Sequence, residues 1–179
     1  MTLSGDVSGY EGALLLLRMV LGLTMAAHGW NKFFGAGGIA GTARWFDSIG
    51  MAPGAVHARV AAGAEIAAGA CLAIGFVTPL AAAGFVSLMV VAAWTVHRGN
   101  GFFVTRDGWE YNLVLAAGAV AVAGTGAGSL SLDSLVLRET AAWPLLHGWA
   151  GLAIAVTVGL VGSLVQLAIF FRPPRTAVS

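Results

Sequence analysis

Residues 12–35 read GALLLLRMVLGLTMAAHGWNKFFG. The stretch offers about the 20 apolar residues that a membrane-crossing helix needs, yet Arg18 interrupts it and His28 and Lys32 follow one turn apart at its end. The segment ahead of it, MTLSGDVSGYEG, carries Asp6 and Glu11 and no basic residue. That is not the basic leader of a secretory signal, so the span is expected to stay in the mature protein.

The rest of the chain has the same character. Of 179 residues, 58% are hydrophobic and 9% are charged, against about 25% charged in soluble domains. Mean hydropathy is +0.86. So few charges cannot cover so much apolar surface in water, and an integral membrane protein is expected. Cys71 is the single cysteine, which excludes an intrachain disulfide, a CxxC redox pair and a thiolate metal cage. The formal net charge of +1 offers no basic field for nucleic acid.

Hydropathy and breaker residues predict five spans, at 12–30, 58–76, 79–97, 110–126 and 148–171. The expected class is all-α: a four-helix transmembrane bundle over 12–133, then an outer loop and a fifth, C-terminal transmembrane helix within 134–179. Val77-Thr78 before Pro79 leaves room only for a tight antiparallel link between the second and third spans. Lys32, Arg44, Arg59, Arg98, Arg106, Arg172 and Arg175 fall on one side and Arg138 on the other. The positive-inside rule then places the first group in the cytoplasm, with the N-terminus out and the C-terminus in. Within TARWFDSIG (42–50), Trp45, Phe46 and Ile49 share one face, as in a short helix lying in the interface. RGNGFFVTRDGW (98–109) mixes aromatics with charges at headgroup depth, and SLDSLVLRE (131–139) is read as a second surface helix.

Charges inside spans are costly and need a reason. At about 100° per residue, Arg18, Lys32 and His28 fit within an arc of about 80°, a face too polar for lipid and expected to point into the bundle. Glu65 stands alone among the small residues of the second span; His97 ends the third, and Glu110-Tyr111 opens the fourth. His28, Lys32, Glu65, His97 and Glu110 therefore share one depth on four helices, whereas Arg18 lies nearer the other side and is a doubtful partner for Glu65. Lys32 taken alone reads as a snorkelling anchor, and the cluster as a whole either neutralises itself within the bundle or forms a polar pocket suited to proton handling. No ExxH or HExxH spacing occurs, so no metal site is expected. On the fifth span Gly148, Gly151, Ala155, Gly159, Gly162 and Gln166 form a close-packing stripe, facing either the other spans or a further protein, such as a second copy.

At these residues the chain resembles the DoxX family of small bacterial membrane proteins. The matching pieces are RMVLGLTMAAHGWNKFFG (18–35), GTARWFDSIGM (41–51), AGAEIAAGACLAIGFVTPLAA (62–82), VHRGNGFF (96–103) and GWEYNLVLAA (108–117), ending near SLD (131–133). The resemblance implies a four-helix bundle and marks Arg18, His28, Lys32, Glu65, His97, Asn100, Glu110 and Tyr111 as motif positions; residues 134–179 fall outside it. Related proteins include the membrane subunit of a thiosulfate:quinone oxidoreductase, and more distantly Surfeit-type cargo receptors that do no chemistry.

Two classes of function follow. In the first, the chain is a quinone-linked accessory subunit of a membrane redox complex. His28 or His97 would bond a quinone carbonyl and Glu65 or Glu110 would relay the proton. Phe102, Phe103 or Trp109 would flank the ring, with Lys32, Asn100 and Tyr111 completing the site. Lacking a flavin motif and a cysteine pair, such a subunit would need a membrane or cytoplasmic redox partner, besides the surrounding lipids. In the second class it is a noncatalytic scaffold or a cargo or assembly factor. A small ion or metal transporter is the third possibility.

Overall fold

The structure, a computed structural model, describes residues 9–173; Asp6 and Arg175 lie outside them. The fold is all-α and built as a membrane bundle. Its helices are α1 (Gly9–Phe34), α2 (Gly38–Ser48), α3 (Gly54–Ile74), α4 (Thr78–Ala92), α5 (Glu110–Thr125) and α6 (Gly148–Phe170). Beyond Ala92, α4 continues through a π turn at Ala93–His97 and a 3-10 turn at Arg98–Asn100. Thus α1, α3, Thr78–Asn100 and α6 are long and apolar enough to cross a membrane. The fourth of the expected spans, α5, has 16 residues, about 24 Å of helix against a hydrocarbon core of about 30 Å.

The most extensive helix contact is that of α1 with α3. The buried residues of α1 (Leu14, Arg18, Leu21, Gly22, Met25 and Gly29) recur at three- and four-residue steps. A side chain on Gly22 would meet the Gly69 carbonyl and Ala73, one on Gly69 would meet the Gly22 carbonyl and Ala26, and one on Gly29 would meet the Ala62 carbonyl. The two backbones are therefore nearly in touch, as small residues at matched spacing permit in membranes.

At the far end, α3 stops at Gly75, which takes the left-handed conformation (φ 66°). The Phe76 amide donates to the Cys71 carbonyl at 2.8 Å and the Gly75 amide to that of Leu72 at 3.2 Å, a Schellman closure. Only Gly fits here: a side chain would also collide with the Arg18 guanidinium. The link to α4 is as tight as expected. Buried Asp133 caps α4, accepting from the Val77 amide (2.7 Å), the Thr78 amide (3.0 Å) and the Thr78 hydroxyl (2.6 Å).

Two local expectations need correction. The 131–139 stretch is not a surface helix: its helical part is the single turn Asp133–Leu137, because Asp133 is held inward as a cap. In α2, Phe46 and Ile49 pack inward with Ile39, Met51 and Ala58, while Trp45 is 43% exposed. The helix also begins earlier, at Gly38.

The middle of the stripe on α6, from Gly151 to Gly159, is taken up within the chain. Gly151 lies on the Ala123 carbonyl and Gly159 on Val86 and the Ala83 carbonyl, with Ala155 and Ser163 fully buried between α6 and its neighbours α4 and α5. Val158, Val161, Leu164, Val165 and Ile169 face outward. At its end, Phe171 bridges to Met51, and the Arg172 amide donates to the Gly50 carbonyl at 2.8 Å, tying α6 to the α2–α3 turn.

Candidate functional site

The α1–α3 register places the charges. With Gly22 set against Gly69 and Ala73, and Gly29 against Ala62 and Glu65, Arg18 reaches the end of α3 while Lys32 reaches Glu65. Arg18 is fully buried, and its two terminal nitrogens donate to the Ala73 (3.1 Å) and Leu130 (2.7 Å) carbonyls. Lys32 Nζ donates to both Glu65 oxygens, at 2.7 and 2.6 Å. The two side chains are 21% and 9% exposed. Lys32 is thus not a simple snorkelling anchor: an otherwise unpaired buried carboxylate would cost far more than the lysine gains by reaching outward.

Beside this pair lies a cavity of about 220 Å³. α3 supplies Val60, Ala61 and Ala64, α4 supplies Leu88, Val91 and Ala92, and α2 closes it with Trp45 and Phe46. Besides the ion pair, the polar lining is Ser87 and Thr95 of α4 and Gln166 of α6. The Thr95 hydroxyl donates to its own helix, to the Val91 carbonyl at 2.8 Å. The Ser87 and Gln166 side chains have no hydrogen-bond partner among the described residues. Apolar walls with a few convergent polar groups are the usual makeup of a small-molecule site. An ammonium has three N–H donors; Glu65 takes two, leaving one for a ligand oxygen, and the Glu65 carboxylate can accept a proton. A quinone head group fits this donor set and these walls.

The other sequence-derived candidates fall into two groups, neither of them lining this cavity. His28 is exposed on α1 with Thr24, Ala27 and Asn31 along a shallow groove, its ring centroid 6.3 Å from that of Tyr111. The expectation that it faces the bundle interior does not hold, because α3 covers a narrower arc of α1 than the polar residues occupy. His97, Asn100 and Glu110 instead organise the 98–109 loop. His97 Nδ1–H donates to the Asp107 carbonyl at 2.6 Å, and Asn100 Nδ2 donates to the same oxygen at 3.2 Å. Glu110 accepts from the Val104 amide at 2.9 Å. Phe102 packs edge-on against Trp109 at 4.9 Å and against Phe103 at 5.4 Å, all three exposed.

A second cavity of about 220 Å³ lies at the opposite end, lined by Glu11, Asp133, Arg138, Trp143 and His147 among others. Its acids are committed: Glu11 accepts from the Ser129 amide at 2.7 Å and Asp133 caps α4. Among the described residues no cluster of three or more His, Cys, Asp or Glu could hold a metal ion. Sequence reasoning missed Ser87, Thr95 and Gln166 as site residues. The available signal is Gln166, a lone amide in an otherwise apolar span, which by spacing also belongs to the packing stripe.

Residues 13–98 match the profile of the family DoxX. A Bacillus subtilis protein named "Putative oxidoreductase CatD" is 30% identical over 129 residues, covering 72% of this chain and 90% of that one. An uncharacterized protein of Haemophilus influenzae is 28% identical over 141 residues, 73% of this chain and 89% of its own. No solved structure gives a significant match.

Proposed function

The chain belongs to the DoxX family of membrane proteins, and we propose that it is a quinone-linked accessory subunit of a membrane redox system. The observation that carries this is the apolar cavity with the Lys32–Glu65 pair in its wall. The name of the Bacillus subtilis relative points the same way. A quinone, when bound, supplies two-electron, two-proton redox chemistry in a molecule that partitions into the bilayer. Lys32 would donate its remaining N–H to a head-group oxygen, and Glu65 would accept or return the proton. The apolar walls of α3 and α4 hold water away from both groups and strengthen their electrostatics. Electrons would come from a partner protein, since Cys71 is the single cysteine and cannot form a redox pair. The Lys and Arg distribution favours a plasma membrane setting with the Lys32 end inward.

The test is quinone binding by purified protein in lipid nanodiscs. Wild type should bind a short-tailed benzoquinone, and Glu65→Gln should lower its affinity at least tenfold while accumulating in the membrane. Wild type without measurable binding, or Glu65→Gln binding unchanged, overturns the proposal. A noncatalytic scaffold is the second reading, and the specific observation in its favour is that His97, Asn100 and Glu110 all serve to brace one loop.

A further inference from the structure

The 13–98 match ends before α6 begins, yet α6 contributes to the cavity through Gln166. Gln166 follows Gly162 by one turn, and a side chain on Gly162 would stand 3.4 Å from the Ser87 hydroxyl. Ser87 and Gln166 therefore form a polar pole where α4 meets α6, and neither has a partner among the described residues. The Lys32–Glu65 pair forms the other pole, on α1 and α3. α4 packs against both α3 and α6 and is the floor between the two poles. An amide in the apolar span of α6 is costly unless it is bonded. Within the chain it could have been a leucine like its neighbours Leu164 and Leu167.

The geometry points to Gln166 as a ligand-positioning residue, one that selects a flat apolar molecule bearing an oxygen at each of two opposite ends. This rests on the proposal that the cavity holds a ligand. One oxygen meets Lys32 and Glu65; the other meets the Gln166 amide, which can donate to a carbonyl or accept from a hydroxyl. The probes are tetramethylhydroquinone, with two hydroxyls, and 2,3,5,6-tetramethylphenol, which lacks one of them. Binding is measured anaerobically on the full chain in nanodiscs.

Wild type should prefer the hydroquinone by about 3- to 10-fold, the worth of one neutral hydrogen bond. Gln166→Met keeps the side-chain volume and should bring that ratio close to one by weakening only the hydroquinone. Glu65→Gln should weaken both probes. A wild type that binds both probes equally, or a Gln166→Met variant that keeps the preference, overturns the role of Gln166 and leaves the cavity as a site. If wild type binds neither probe, the cavity is not the site, and this inference falls with it.

Discussion

The two ends of the bundle hold similar chemical groups used in opposite ways. At one end, Arg18 and Asp133 are both essentially inaccessible, with Arg18 bonded to the Ala73 and Leu130 carbonyls and Asp133 to three donors around Thr78. These charges close off helix ends and a loop. At the other end, Lys32 and Glu65 bond one another and stand in a cavity wall beside side chains with no partner. Burial alone does not separate strut from site. Apolar helix walls around a few convergent polar groups do.

The largest effect should come from the strut. Asp133→Ala leaves two amides and a hydroxyl without their acceptor, and should cost about 3–5 kcal/mol. Thermal unfolding of the purified protein and its membrane abundance should both fall sharply. Asp133→Asn keeps one acceptor oxygen and should lose much less. If Asp133→Ala melts with the wild type, the contrast between the two ends is broken.

The ion pair should behave differently. Glu65→Gln strands Lys32, but Lys32 is partly exposed, so the cost should be about 2 kcal/mol, below that of a fully buried pair. Replacing both partners, Lys32→Met with Glu65→Leu, should restore stability to within about 1 kcal/mol of wild type, since apolar replacement of a buried pair is often neutral. Quinone binding should stay lost. A double variant that is stable and still binds would show that the pair serves the fold alone.

How far the sequence reached follows from the same contrast. Four of the five spans, the tight link at Val77-Thr78, the inward face of α1 and the mismatch between Arg18 and Glu65 are legible, because hydropathy and a helical wheel report face and depth. The wheel does not report how wide an arc a neighbour covers. Buried positions on α1 run from Leu21 to Gly22, about 100°. Lys32 falls inside that arc, and His28 lies about 20° beyond its Leu21 edge. One residue became a site wall and the other a surface group. Gln166 is not legible as a site residue because the cavity it lines is walled by α3 and α4, across tertiary contacts that no periodicity encodes. The turn at Asp133 looks like a surface helix in sequence for a related reason: its three donors lie on Val77 and Thr78, far away in sequence.

The smallest expected effect concerns Glu110, which the sequence grouped with Glu65 and the structure does not. Its oxygen holds the Val104 amide within a loop that is also closed by Trp109 and Glu110 amide bonds to the Gly101 and Phe102 carbonyls. Glu110→Ala removes one partly exposed bond and should cost about 1 kcal/mol. Most of that should appear as faster hydrogen exchange at Val104, with the melting temperature nearly unchanged. Glu110→Gln keeps an acceptor oxygen and should preserve Val104 protection. Neither should change quinone affinity, because Glu110 lies outside the cavity wall. Should Glu110→Gln abolish binding while Val104 stays protected, the carboxylate acts on the ligand and the two acids belong to one site. Loss of binding only alongside loss of protection would instead trace the effect to the loop.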